Sequence, residues 1–233
     1  MSLSRLILPL GLGAAALIGA AVISVTPSYS ADPPSRVART QPNVFDDAPV
    51  KPEKWTGIIV SGFYGYGALD GEITGPGFSF DGLSATGNLW GLDLGARYQI
   101  PGSFLVVGAR GGYTWSDQAL TVTPGGSAGI DKGWHADAIL GAGFGTAMPY
   151  VGVGHTVMQT HVTGAGSTPD LKGTRGILGV EFRLPKLETS FATPTLALEV
   201  IYTDYSAVNL GGPVNLNVSS LDAMARLNIQ LWK

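Results

Sequence analysis

The stretch Trp90-Gly91-Leu92-Asp93-Leu94-Gly95-Ala96-Arg97-Tyr98-Gln99-Ile100 divides cleanly by parity. Trp90, Leu92, Leu94, Ala96, Tyr98 and Ile100 fall on one side, while Gly91, Asp93, Gly95, Arg97 and Gln99 fall on the other. Period two is the signature of a strand whose faces meet different surroundings. The same division recurs from Leu105 to Trp115, around Trp134, around Arg175, from Leu196 to Tyr202 and from Leu221 to Leu231. Two further runs, Trp55 to Tyr66 and Tyr150 to His161, read as strands with a less even sorting. The spacing therefore predicts eight strands.

The gaps between the runs alternate in length. Residues 67–85, 116–132, 162–173 and 206–219 are long and rich in Gly, Ser, Thr, Asp and Pro, and read as loops. Residues 101–103 and 145–149 read as short turns, with 184–195 longer than the pattern prefers. Long connections at one end and short ones at the other are the wiring of an outer-membrane barrel. An even strand count returns both termini to the short-turn side, which in such a barrel is the periplasm.

A soluble sandwich would also alternate, so the polar parity decides. A solvated sheet face should be rich in Lys, Glu and Thr; here it is mostly glycine with a few charges, which suits a crowded lumen. The inward parity collects Asp93, Arg97, Arg110, Asp137, Arg175, Glu181, Arg183, Glu199 and Arg226. Five guanidinium and four carboxylate groups nearly cancel, and an eight-stranded barrel is just wide enough for its own side chains. The expectation is a plug of ion pairs. Aromatic residues gather toward strand ends at Trp55, Tyr66, Trp90, Tyr98, Tyr113, Trp115, Trp134, Tyr150, Phe182 and Tyr202, as two interfacial girdles would require. Helical spans fit poorly, because the 17 uncharged residues from Ala138 to Gly154 include five glycines and Pro149. The fold class expected is all-β, an up-and-down eight-stranded antiparallel transmembrane barrel over residues 55–233.

Two segments precede it. Residues 1–30 carry one positive charge at Arg5, an uncharged stretch from Leu6 to Val25, and Ser28-Tyr29-Ser30 before Ala31, the three parts of a cleavable signal peptide. The length of the apolar stretch keeps an uncleaved inner-membrane anchor as the competing reading. Residues 31–54 hold prolines at 33, 34, 42, 49 and 52 and read as a flexible periplasmic tether.

Composition narrows the chemistry. The 233 residues include 34 glycines and no cysteine, with 13% charged residues and a net charge of −3. Zero cysteines remove disulfides, thiolate metal sites and cysteine nucleophiles, and the slight acidity argues against a nucleic-acid partner. His135, His155 and His161 invite a metal or haem reading, but the carboxylates are matched to arginines, so no cofactor is expected. A lipid-A-modifying enzyme would need a serine, a histidine and an orienting carboxylate. Neither His155-Thr156 nor His161-Val162-Thr163 supplies them, so no enzymatic activity is expected.

Several segments together resemble the small outer-membrane barrels of alphaproteobacteria, a family with OmpA-like transmembrane domains often described as porins. They are Trp55-Thr56-Gly57, Phe63-Tyr64-Gly65-Tyr66-Gly67, Val107 to Asp117, Met148 to Gly154, Leu178 to Glu181 and Leu198 to Tyr205. The resemblance implies a surface-exposed structural or host-contact protein in the outer membrane of a Gram-negative cell. Its expected partners are outer-membrane lipid, lipopolysaccharide and the barrel-assembly machinery. The assembly signal is similar to Arg226-Leu227-Asn228-Ile229-Gln230-Leu231, with Leu231 where the family has an aromatic residue and Trp232-Lys233 following. A narrow porin for small solutes or ions remains the alternative role.

Overall fold

The computed structural model describes residues 55–122, 126–162, 170–211 and 214–231. The expected signal peptide (1–30) and tether (31–54) lie outside the described residues. Nine strand segments follow one another: β1 (Gly57–Gly75), β2 (Phe78–Gln99), β3 (Leu105–Ser116), β4 (Ala119–Val122), β5 (Gly126–Ala142), β6 (Ala147–Val162), β7 (Leu171–Arg183), β8 (Ala192–Gly211) and β9 (Val214–Leu231). Short β4 pairs with β2 and β5, the neighbours of β3, so it continues the same stave beyond a break at Asp117-Gln118. Every pairing is antiparallel, and β1 bonds to both β2 and β9, which closes eight staves into a barrel.

Register fixes its width. Ile58 lies opposite Ala96, and the ladder continues through Ala109, Ala138, Val153, Gly176, Tyr202 and Leu221 back to Ala68 on β1. One circuit thus climbs from position 58 to position 68. A shear of that size on eight staves gives a strand tilt of about 40° and a backbone radius of about 8 Å. Side chains alone can fill such a cylinder.

The outer face carries an apolar band in which Leu92, Leu94, Leu140, Val153, Leu178, Leu198 and Leu227 are each about half exposed or more. Tyr64, Tyr66, Trp90, Tyr113, Trp115, Trp134 and Tyr202 ring it at the loop end. Tyr98, Phe104, Phe144, Phe182 and Phe191 ring it at the turn end, where Phe104 stacks on Phe144 at 5.8 Å. Two residues expected in the girdles are corrected to the interior: Trp55 is 1% exposed and Tyr150 is 4% exposed. Parity explains both. Trp55 shares the inward parity of Ile59, Ser61 and Phe63, while Tyr150 shares that of Met148, Thr156 and Met158, so composition misplaced what spacing would have placed.

The short turns are as tight as the sequence suggests. Gly102 and Gly145 adopt φ of 72° and 61°, a left-handed backbone that favours glycine. The 184–195 connection contains a single 3₁₀ turn, Pro185–Leu187. The expected long loops differ. Strands β1 and β2 run on until only Pro76-Gly77 separates them, with Gly77 at φ 81°, and β8 and β9 extend to Gly211 and from Val214. Those segments have the Gly, Ser, Asn, Asp and Pro content of loops, although Val208, Leu210, Val214, Leu216 and Val218 keep a period of two that composition obscures. Among the described residues, Phe78 to Ala85 of β2 pairs only with β1, and β8 beyond Tyr205 pairs only with β9. The strands β2, β1, β9 and β8 therefore project as a four-stranded blade with two unpaired edges.

Candidate functional site

Three layers of inward side chains fill the lumen. At the turn end, Arg97 donates to both oxygens of Glu181 at 2.7 and 2.8 Å and to Gln230 Oε1 at 2.6 Å. Thr195 donates to Glu181 from the next strand. Gln230 donates to the Thr56 carbonyl at 2.7 Å, which ties the last strand to the entry of the first. Trp55 closes this layer beneath the guanidinium groups of Arg97 and Arg183, 4.9 and 5.9 Å from its ring. Such cation–π contacts contribute about 0.5–2 kcal/mol. Arg183, placed with the lumen charges by parity, sits half-buried at the rim and bonds Glu188 of the turn at 3.0 Å.

The central layer joins six of the nine expected lumen charges. Arg110 reaches Asp137 at 3.0 Å and Glu199 through a two-pronged contact. Arg226 forks onto the same Glu199, with Nε and Nη2 at 3.2 and 3.0 Å from its oxygens, and its remaining nitrogen contacts Asp93. Arg175 approaches Asp137 at 3.4 Å. Three guanidinium groups thus face three carboxylates at almost complete burial, where isolated charges would cost several kcal/mol each. Tyr150 adds a phenol donor to Glu199. His135 bridges Asp93 at 3.0 Å and Thr114 at 3.3 Å, and the Phe63 ring lies 4.7 Å below Arg226.

Glycine makes room for these acids. Asp93, Asp137 and Asp222 lie cross-strand from Gly112, Gly154 and Gly67, and a Cβ at any of those glycines would collide with the carboxylate. These three glycines are therefore clearance for buried carboxylates crowded into a cylinder of small radius.

Toward the loop end, Asp222 accepts from Gln118 at 3.3 Å and Ser220 at 3.1 Å. Above them Leu69, Ala85, Ile130, Met158, Leu171 and Tyr205 form an apolar collar. Among the described residues the lumen holds a cavity of about 40 Å³ between the turn-end and central layers and another of about 30 Å³ above the central layer. Each has room for one or two waters. His135, Tyr150, Asp222, Gln118 and Gln230 complete the network beyond the expected set. All five have inward parity, which was the signal available for them. Among the described residues no three His, Asp or Glu side chains are grouped to hold a metal ion. Both His155 and His161 lie on the outer face of β6, with His161 bonded to Asp131 at 2.6 Å.

The molecule is thus a closed eight-stranded antiparallel barrel with an apolar exterior and a filled, ion-paired interior. No family model matches the chain, and no curated protein matches it. Solved structures similar to it include Neisserial surface protein A, 17% identical over 73% of this chain and 97% of that one, with a TM-score of 0.41. Outer membrane protein AlkL in DMPC lipid bilayers is 14% identical over 88% of this chain and 97% of that one, at 0.41. OprG from Pseudomonas aeruginosa is 14% identical over 76% and 97%, at 0.38. With identities and scores at this level, the role of the barrel has to be argued from its own residues.

Proposed function

We propose that the chain is a non-enzymatic integral protein of the outer membrane of a Gram-negative cell, in which the barrel is an anchor and the projecting blade makes contact with the surroundings. The observation that carries this reading is the inversion of polarity: half-exposed Leu and Val outside, buried Arg, Asp and Glu inside. In water that arrangement would expose a large apolar surface and bury charge without return; in lipid the closed ring pairs its backbone and keeps the lumen's Arg, Asp and Glu away from hydrocarbon. The start of β1 and the end of β9 lie at the short-turn end; that end faces the periplasm in this reading, as in such barrels, and the blade then points out of the cell. An alphaproteobacterial, OmpA-like origin, a cleaved signal peptide, lipopolysaccharide around the barrel and delivery by the assembly machinery belong to the same reading.

The filled lumen favours anchor over porin. Strong charge pairs close the middle, an apolar collar closes the loop end, and the cavities are of water size. Gel migration of the outer-membrane fraction tests the reading. The unboiled protein should run faster than the boiled protein and sediment with the outer membrane; equal mobility, or recovery from the soluble fraction, would overturn it. In planar bilayers the monomer should give no stable nanosiemens-scale conductance, and recording one would replace the anchor with a porin.

A further inference from the structure

The ring closes where β1 meets β9, and two polar groups beside that seam are left over by the ion-pair network. Arg97 on β2 donates from Nη1 to Glu181 and from Nη2 to Gln230, yet its buried Nε has no acceptor among the described residues. On β9 the buried Oδ1 of Asn228 has no donor among them. Both residues are more than nine-tenths buried, and so is Ser61 on β1, the cross-strand partner of Asn228. One leftover atom can only donate and the other can only accept. A buried donor and a buried acceptor held apart each lose the hydrogen bonds they make in water, so native interiors place a partner between them.

All three side chains line one cavity, the space of about 40 Å³ between the turn-end and central layers. Its room comes from two inward glycines that also line it: Gly108 lies cross-strand from Arg97, and Gly95 cross-strand from Arg110. No side chain fills either position. Arg110 belongs to the central layer and Glu181 to the turn-end layer, and both border the cavity, so it lies where the two layers meet.

From this juxtaposition we infer a water-binding site at the β1–β9 seam: a single water accepts from Arg97 Nε, donates to Asn228 Oδ1 and takes the Ser61 hydroxyl as its third partner. Three partners are the usual complement of a buried water. The ligand has to accept and donate at once, which water does; a halide can only accept, and the Glu181 carboxylate on the same wall repels it. The bridge runs from β2 to β9 across β1, the stave that closes the ring. Two residues nearer the turn end on β9, Gln230 already joins Arg97 to the Thr56 carbonyl directly. The water adds a second tie at the next height, so the seam is held twice and the turn-end layer is coupled to the central one. The site depends only on the closed barrel and is independent of the role proposed for it.

Crystals of the full chain that diffract well enough to show ordered water test the site directly. A water should appear within hydrogen-bond distance of Arg97 Nε, Asn228 and Ser61, and xenon under pressure should stay out of the cavity, since dry apolar voids admit it. Xenon at that place, or a cavity without water, would overturn the site; so would an anomalous peak there from crystals soaked in bromide, which would put an anion in place of the water. Urea unfolding of the barrel in phospholipid vesicles supplies an independent sign. Ser61→Ala deletes one partner of the water without adding bulk and should raise the unfolding equilibrium constant by roughly two- to tenfold. Asn228→Leu keeps the volume, removes the acceptor and should raise it by roughly ten- to a hundredfold. In a dry cavity Ser61→Ala would only remove an unpaired hydroxyl, so a variant as stable as the wild type, or more so, would also overturn the site. Faster gel migration before boiling, checked on each variant, shows that the ring has closed and that the comparison is between folded barrels.

Discussion

The central layer of the lumen and the projecting blade share strands β2, β8 and β9, yet they follow opposite rules. In the lumen, Arg226 touches Asp93 and Glu199 from strands far apart in sequence, and each group is held by at least one partner. In the blade, Phe78 to Ala85 and the end of β8 keep one edge unpaired among the described residues, and Asp70 stands exposed. A substitution in the first region strands a buried charge, whereas one in the second is absorbed by water. Stability is therefore concentrated in the lumen, and the blade is free to vary in chemistry, as a contact surface requires.

The sharpest way to break this contrast is Arg226→Met, which leaves Asp93 and Glu199 buried without their shared cation. Urea unfolding of the refolded barrel in phospholipid vesicles should show a loss of about 3–5 kcal/mol; a loss below 1 kcal/mol would mean that water reaches the layer. Next is Tyr150→Phe, which removes one donor from Glu199 and should cost about 1.5–3 kcal/mol in the same titration. Gly112→Ala places a methyl group against the Asp93 carboxylate and should cost about 1–3 kcal/mol by overpacking, with Gly176→Ala on the outer face, where an added Cβ meets nothing, as the control that changes little. At the small end, Asp70→Asn in the blade should change the unfolding free energy by no more than about 0.5 kcal/mol. If Asp70→Asn matched Arg226→Met, the division of labour between the two regions would be wrong.

How far the sequence reached can be judged at particular positions. The alternation around Asp93 and Arg97 was enough to sort lipid face from lumen, because a strand inserted between lipid and a polar interior records that difference at every second residue. Composition hid the blade: residues 67–75 and 206–211 have the Gly, Ser, Asn and Asp content of loops, which outweighed the alternation of Leu69 and Ile73 with Asp70 and Glu72 and of Val208 and Leu210 with Asn209. Trp55 and Tyr150 show a related failure, in which residue type was allowed to outvote spacing. Each found inside the barrel what an interface would have supplied, a cation over the ring for Trp55 and a carboxylate for the Tyr150 hydroxyl.

Local pattern by itself determined that this chain forms eight staves, which face of each is greasy, and which charges go inward, because those properties depend only on neighbours two residues apart. Which charge meets which was decided by closure. Arg97 finds Glu181 and Arg110 finds Glu199 across more than eighty residues of chain, because a climb from position 58 to position 68 in one circuit brings those heights together. The register of a closed sheet is a property of the whole ring, and no single strand carries it.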